Sequence, residues 1–292
     1  MSESKDLIMS IIDGDIQDIK VKKEDINDRR LTIKEIYEIE NEHWFYKYRN
    51  AMLKRILKMH IKGENLKIAN IGVFTGTLAK YIENFGEITH IDSNISHIKF
   101  VQSEHNLNVE YGELPWMIPL EDHSMDYIIM LNYLEYLDND FWSLDNINKK
   151  LKKSGKLILS TLANKNLYGL NDEVYGVKRR YTKTDLTKML KENGFNTDYF
   201  TYYESFSSLK QSLKLLKDKL FEEEEIYLNK VPVNNDEIYT LSKIDLDTIK
   251  DKPLLHGNQM FFVCSKMSES EQEDFLEKDN NSFLKKLINF KK

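Results

Sequence analysis

The chain has 292 residues, 41% of them hydrophobic, which is enough to bury a sizeable core and excludes a disordered chain. Its 42 basic and 48 acidic residues give a net charge of −6, which argues against nucleic acid as the main partner. The single cysteine, Cys264, excludes an intrachain disulfide, and we find neither a secretion signal nor a run of about 20 apolar residues. We therefore expect a cytoplasmic protein without a membrane span, built as one domain with insertions rather than as two domains.

The first part of the chain predicts a helical extension. Residues 1–31 are polar, and their apolar groups are too short to distinguish helix from strand. Thr32 and Glu35 then have the spacing of a capping box, and apolar residues recur every three to four positions after them. We expect a helical region that is interrupted near residues 42–45 and ends before Gly63.

Short apolar runs then alternate with amphipathic stretches. The runs occupy residues 66–71, 88–91, 109–111, 127–131 and 157–159. Helical patterns begin between them, at Leu78, Ile95 and Phe141. Strands that alternate with helices in this way predict a parallel sheet with helices on both faces.

Two more strand candidates follow, Phe195–Tyr203 and 259–264, separated by about 55 helical or charged residues that include an acidic run at 222–225. Such a long excursion indicates a lid, a subdomain or an oligomer contact. We therefore predict four parts. They are a helical extension at 1–62, a core at 63–204 and 256–267, a helical insertion at 205–255 and a tail at 268–292 with an amphipathic helix at 283–290.

A glycine-bearing turn joins the first predicted strand to a helix. Gly72 and Gly76 allow the backbone to approach a ligand, and the helix that follows presents unpaired amides. The glycine spacing does not meet the G-x-G-x-x-G dinucleotide fingerprint. Asp92 ends the next strand, 20 residues after Gly72, where a carboxylate can accept hydrogen bonds from both ribose hydroxyls of a nucleoside. Alone, these features are also explained as a packing turn and a helix cap, but together they indicate a nucleoside site.

Seven segments occur in the order typical of one enzyme family. They are EHWFYKYR at 42–49, GVFTG at 72–76, ID at 91–92, GELP at 112–115, DYIIMLNYLE at 126–135, LKKSGKL at 151–157 and RRYTKTDL at 179–186. With them, residues 42–266 resemble the class I S-adenosylmethionine-dependent methyltransferases, and more narrowly the subgroup often found with saccharide and natural-product modification. The resemblance implies an α/β, Rossmann-like, doubly wound sheet of seven mostly parallel strands. The last strand, 259–264, would insert antiparallel between the fifth strand and Phe195–Tyr203.

The resemblance also implies how S-adenosylmethionine, the cofactor, is bound. The turn from Gly72 to Gly76 would pass under the methionine part of the cofactor. Asp92 would hold the ribose, and Glu113 would meet the adenine together with the backbone of Leu114.

Two further residues complete the implied cofactor site, and three departures from the family affect it. Asn132 would face the sulfonium, and Arg49 would reach the cofactor carboxylate with its planar guanidinium.

Family members usually carry an acidic residue where this chain has Asn70, a glycine where it has Phe74, and an acid-then-His pattern where it has Asn132 and Tyr136. Asn70 can still hydrogen-bond the cofactor. The Phe74 ring either leans over the methionine tail or fills the space that the cofactor needs.

Methyl transfer requires a nucleophile in line with the activated methyl group, and an oxygen nucleophile is helped by a base. The candidates for a catalytic role are His43, which lies in a family motif, and Tyr133 and Tyr136, but none is assigned as the base. The residues that could line the acceptor site are Tyr133, Glu135, Tyr136, Tyr168 and Tyr181. No Cys or His cluster has the spacing of metal ligands, so we expect no metal.

Three functions are consistent with these patterns. The first is a methyltransferase that acts on an O or N atom of a small molecule or of a saccharide or natural-product intermediate, with the insertion at 205–255 in the acceptor pocket or at a homo-oligomer contact. The second is an inactive methyltransferase-like binding module or partner subunit, motivated by Asn70, Phe74 and Tyr136. The third, a nicotinamide-dependent oxidoreductase, is disfavoured by the glycine spacing. We predict the first.

Overall fold

A computed structural model describes residues 20–21, 31–205, 226–227 and 235–275. Within them, Lys20–Val21 pairs antiparallel with Ile226–Tyr227. The acidic run at 222–225 and the predicted helix at 283–290 lie outside the described residues.

Seven strands form one sheet. In chain order they are β1 (Leu66–Ile71), β2 (Gly86–Asp92), β3 (Val109–Tyr111), β4 (Met125–Leu131), β5 (Leu151–Leu162), β6 (Phe195–Tyr203) and β7 (Gln259–Lys266). Strand β5 has 12 residues and begins well before its apolar run at 157–159. Its first part includes the polar positions 152–154, whose side chains are half-buried or exposed.

The order of strands across the sheet is β3-β2-β1-β4-β5-β7-β6. Neighbouring strands from β3 to β5 are parallel, for example with Ile68 opposite Ile88. Strand β7 is antiparallel to both of its neighbours, with Val263 between Ile158 of β5 and Tyr199 of β6. The predicted Rossmann-like sheet is confirmed, including its last strand, antiparallel between the fifth strand and Phe195–Tyr203.

The helices join and flank these strands. They are α1 (Ile33–Glu42), α2 (Trp44–His60), α3 (Thr77–Ile82), α4 (Ile95–His105), α5 (Asp140–Lys150), α6 (Leu170–Val174), α7 (Lys183–Glu192) and α8 (Asn235–Thr248). Thr32 and Glu35 form the predicted capping box, and the predicted interruption falls at His43, between α1 and α2. Across the described part of the chain, no helix combines the length and the apolar composition that a membrane crossing needs.

Buried clusters lie on both faces of the sheet. On one face, Ile56 of α2 and Leu246 of α8 pack in the same cluster as Ile129 of β4. On the other face, Leu144 of α5 packs in the cluster that contains Ile128. Consecutive residues of β4 therefore serve opposite faces, as expected for a strand covered on both sides. Helix α8 falls within the predicted insertion at 205–255, and the boundaries of the four predicted parts stay a prediction.

Candidate active site

A cavity of about 520 Å³ opens at the carboxyl ends of β1, β2 and β4. The carboxyl ends of parallel strands are the usual ligand-binding edge of such a sheet. The sequence-predicted residues that line the cavity are Arg49, Asn70, Gly72, Phe74, Asp92, Asn132, Tyr133 and Tyr136. Helix α1 and residues 174–176 supply further walls, so the cavity lies between the sheet edge and two segments outside the sheet.

The turn after β1 is left-handed at Gly72, Phe74 and Gly76, with φ of 82°, 50° and 81°. A Cβ on Gly72 would lie 2.6 Å from Cδ2 of Tyr133, so glycine is needed for Tyr133 to pack against the turn. Phe74 keeps the left-handed conformation in spite of its side chain. Its ring meets the His97 ring edge-on, with centroids 5.2 Å apart, and forms part of the cavity wall without filling the cavity.

Asp92 is 2% exposed and is held at the cavity wall by backbone amides. Its Oδ2 accepts from the amide of Phe74 at 3.2 Å, and its Oδ1 accepts from the amide of Asn94 at 2.8 Å. The ring of His97 adds a contact, with Nδ1 3.4 Å from Oδ2. Asn94, whose Oδ1 accepts from the amides of Ser96 and His97, is the N-cap of α4. Asp92 is therefore not the cap of the helix that follows it.

Asn70 forms a buried chain of hydrogen bonds at the floor of the cavity. Its Nδ2 lies 3.1 Å from Nδ1 of His90, and Nε2 of His90 lies 3.0 Å from Oε1 of Glu83. Burial lowers the pKa of His90, and a neutral ring with its proton on Nε2 satisfies both bonds. Asn70 thus holds the position of the family's acidic residue without bringing a charge to the cavity.

Asn132 follows β4 with its side-chain amide fixed on both sides. Its Nδ2 donates to Oε1 of Glu135 at 3.2 Å and to Oε1 of Gln259 at 2.6 Å. Its Oδ1 accepts from Oγ of Ser160 and from the hydroxyl of Tyr203, both at 3.2 Å. These four bonds set the orientation in which Asn132 lines the cavity.

Glu135 lies buried behind Asn132 and does not line the cavity. Its Oε2 accepts from Oγ1 of Thr161 at 2.9 Å, and burial raises the pKa of Glu135 to about 7. Tyr168 and Tyr181 do not line the cavity either, and their hydroxyls donate hydrogen bonds to other residues of the chain.

The three catalytic candidates differ in position. His43 is the N-cap of α2, where its Nδ1 accepts from the amide of Phe45 at 3.1 Å, and the structure does not bring it to the cavity. Tyr133 and Tyr136 do line the cavity. Burial raises the pKa of Tyr133, so its phenol stays protonated at neutral pH.

A second cavity of about 260 Å³ adjoins the first, and Glu113 and Leu114 line it. Ser93, Tyr133 and Tyr136 line both cavities. The hydroxyls of Ser93 and Tyr133 are 3.0 Å apart, so this hydrogen bond lies where the two cavities meet.

Glu40 of α1 is a cavity residue that sequence reasoning missed. It is 3% exposed and carries four side-chain partners. Its Oε1 accepts from Nη2 of Arg49 and Nδ2 of Asn50, both at 3.2 Å. Its Oε2 accepts from the hydroxyls of Thr75 and Thr77, which belong to the glycine turn and the start of α3.

One sequence signal could have identified Glu40. It continues the apolar positions 33, 36 and 37 of α1 at helical spacing, so the amphipathic pattern places a carboxylate on the buried stripe. A buried carboxylate requires partners, and such a residue is a candidate for a site.

Residues 69–159 match the sequence family described as "Methyltransferase domain". The chain carries a methyltransferase domain. With the observed fold, it is a domain of the class I kind, whose cofactor is S-adenosylmethionine. No curated protein matches the chain in sequence.

Solved structures share the fold of this methyltransferase. A chain of the complex between the Haloferax volcanii Trm112 methyltransferase activator and a methyltransferase is 11% identical, with a TM-score of 0.55 over 81% of this chain and 95% of that chain. The 4+2 cyclase SpnF is 14% identical, with a TM-score of 0.50 over 74% and 80%. A methyltransferase from Archaeoglobus fulgidus described as S-adenosylmethionine-dependent is 18% identical, with a TM-score of 0.48 over 75% and 96%. At these identities the first two likenesses concern the fold alone, and one of the two proteins that share it is a cyclase.

The main cavity fits S-adenosylmethionine in volume and in polar groups. Its volume of about 520 Å³ lies within the usual range for small-molecule sites. Asp92 offers a buried carboxylate to the ribose hydroxyls. Arg49, another lining residue, offers a cation to the cofactor carboxylate. Within the same residues, no group of three His, Cys, Asp or Glu side chains is placed to hold a metal ion.

Proposed function

We propose that this methyltransferase transfers the methyl group of S-adenosylmethionine to an O or N atom of a small molecule, such as a saccharide or natural-product intermediate. The observation that carries the proposal is the convergence of the Gly72 turn, the buried Asp92 and Asn132 on one cavity. These elements follow three neighbouring parallel strands, whose carboxyl ends lie at the edge of the sheet where ligands usually bind.

In the proposed complex, the chain's residues bind and orient while the cofactor supplies a methyl group activated on a sulfonium. Asp92 accepts hydrogen bonds from the ribose hydroxyls, and Glu113 with the backbone of Leu114 contacts the adenine from the second cavity. The amide of Asn132 faces the sulfonium region in a fixed orientation. Helix α1 and residues 174–176 exclude water from one side of the cavity, which favours direct transfer to the acceptor.

The acceptor end of the cavity is proposed to lie at Tyr136 and Tyr175, away from Asp92. Both residues line the cavity and are partly exposed, Tyr136 at 40% and Tyr175 at 42%. Aromatic faces of this kind suit the apolar face of a sugar ring or a planar natural product. Since the Tyr133 phenol stays protonated, it is proposed to act as a hydrogen-bond donor rather than as the base.

Titration calorimetry of the purified chain with S-adenosylhomocysteine tests the cofactor site. Asp92→Ala removes two hydrogen bonds to a charged acceptor, so we expect its affinity to fall at least about tenfold. Asp145→Ala, on α5, removes a carboxylate whose partner is the surface Lys149 and should bind like the wild type. Unchanged affinity of Asp92→Ala would mean that the ribose is held elsewhere.

Wild-type protein that binds NADH instead of S-adenosylhomocysteine would overturn the cofactor assignment. An acceptor screen that detects S-adenosylhomocysteine release then tests transfer itself. Tight cofactor binding without turnover on any saccharide or natural-product acceptor would favour the inactive binding module.

A further inference from the structure

Two opposite charges meet at the wall of the proposed cofactor cavity. The carboxylate of Glu40 and the guanidinium of Arg49 both line the cavity, and their Oε1 and Nη2 atoms are 3.2 Å apart. The side chains are 2% and 15% exposed, so the pair is largely screened from water. Such a pair presents a positive and a negative group side by side to whatever occupies the cavity.

The pair is fixed at both members. Thr75 and Thr77 donate hydrogen bonds to Glu40, and these bonds hold the carboxylate against the glycine-bearing turn after β1. The Arg49 guanidinium lies over the Tyr46 ring, 5.2 Å from its centroid. Its buried Nε has no hydrogen-bond partner among the described residues. The site therefore has a positioned carboxylate and a positioned cation.

The amino-acid end of S-adenosylmethionine carries the complementary charges, an ammonium and a carboxylate. Asn70 stands where the family's acidic residue would face this end, and its Nδ2 is engaged with His90. The end of β1 consequently offers no carboxylate to the ammonium, and Glu40 supplies one from α1.

We propose that Glu40 accepts from the ammonium at the amino-acid end of the cofactor, beside the Arg49 guanidinium that the family resemblance already implies for the carboxylate. This inference rests on the proposed function, and it makes α1 part of the binding site. Glu40 takes over the charge that the position of Asn70 no longer carries. Charge-assisted hydrogen bonds of this kind are about twice as strong as neutral ones.

Three ligands separate the two roles by calorimetry. S-adenosylhomocysteine carries both charged groups, its decarboxylated analogue carries only the ammonium, and 5′-methylthioadenosine carries neither. Glu40→Gln keeps an oxygen for the threonines and removes the charge. We expect this variant to bind S-adenosylhomocysteine and the decarboxylated analogue about tenfold more weakly than the wild type. Its affinity for 5′-methylthioadenosine should stay within about twofold of the wild-type value. Arg49→Gln should weaken S-adenosylhomocysteine alone.

Glu38→Gln is the matched control, since Glu38 is an exposed residue of the same helix and its variant has the same charge change. It should bind all three ligands like the wild type. Equal weakening of all three ligands by Glu40→Gln would assign Glu40 to holding the turn, and unchanged binding of S-adenosylhomocysteine would remove it from the site. Either result overturns the proposal.

The wild-type protein gives a test that does not depend on whether a variant folds. It should bind S-adenosylhomocysteine at least about tenfold more tightly than 5′-methylthioadenosine. Equal affinities would overturn the proposal while leaving the nucleoside site intact. Failure to bind any of the three ligands would instead contradict the proposed function.

Discussion

Phe74 combines a strained backbone with a ring at the cavity wall. A φ of 50° costs a non-glycine residue about 1 kcal/mol or more, and Phe74→Gly removes this strain together with the ring. We expect S-adenosylhomocysteine to bind more weakly to Phe74→Gly by about 1 to 2 kcal/mol, because the ring's apolar contact with the methionine tail is lost. Calorimetry measures the affinity, and chemical unfolding shows that the sheet is intact.

A second substitution separates the ring from the backbone. Phe74→Leu retains a Cβ, an apolar side chain and the strained φ, so it should bind with an affinity between those of the wild type and Phe74→Gly. If Phe74→Gly bound more tightly than the wild type, the ring would occupy the cofactor's space, and the inactive binding module would become the better explanation.

Glu135 predicts a pH dependence of stability. Its pKa in the folded protein, about 7, is above the ordinary 4.5. Between pH 4.5 and pH 7, the folded protein therefore keeps a proton on Glu135 that the unfolded chain has already released. The contribution of Glu135 to the free energy of unfolding therefore falls as pH rises from 4.5 to 7. Between pH 5.5 and 8 we expect the wild type to lose about 2 kcal/mol relative to Glu135→Gln, which does not titrate. Urea unfolding of both proteins across this range measures the difference, and parallel pH profiles would contradict it.

At the scale of elements, one ion pair fixes the segment that carries part of the cavity wall. Arg180 donates to both carboxylate oxygens of Asp172 in α6, at 3.0 and 2.9 Å, and to the carbonyl of Ala163 after β5. Both side chains are 5% exposed. Arg180→Ala leaves the Asp172 carboxylate buried without its cation, so we expect the free energy of unfolding to fall by about 3 to 5 kcal/mol.

The neighbouring Arg179 is the control for this prediction. Its side chain is 37% exposed and pairs with Asp140 at 2.9 Å. Asp140 is 13% exposed, so Arg179→Ala leaves a carboxylate that water can still reach and should cost less than Arg180→Ala. Equal losses in the two variants, measured by urea unfolding, would show that burial does not distinguish the pairs.

The elements of the core were predictable from local pattern, whereas much of the site was not. Buried parallel strands are apolar runs, so β1, β2 and β4 can be recognised in the sequence, although two of the three residues of β3 are exposed. The antiparallel place of β7 followed from the family resemblance. Asp92 and the Gly72 turn stand at strand ends, where position alone suggests a ligand. The contacts of Glu40 and Asn132 depend on partners from other elements, such as Gln259, 127 residues after Asn132. No local pattern contains that information.

For the whole molecule, Tyr48 joins three distant parts of the chain. It is 1% exposed, and its hydroxyl donates to Oδ2 of Asp245 in α8 and accepts from the amide of Glu204 after β6, both at 2.8 Å. Tyr48→Phe leaves a buried amide without its acceptor, so we expect unfolding to become easier by about 1 to 3 kcal/mol. Tyr111→Phe, at an exposed tyrosine, should change little, and similar losses in both variants would contradict the role of Tyr48.

The position of β7 has a consequence for how the chain is made. Strands β5 and β6 each pair with β7 and not with one another, yet β7 follows β6 by about 55 residues. Until β7 has been synthesised, the edges of β5 and β6 that pair with it have no partner strand from this chain. Unpaired edges recruit strands from other chains, so a nascent chain stalled before residue 259 is an aggregation hazard. The sheet becomes continuous only when its last strand is released, which makes closure of this fold a late event of translation.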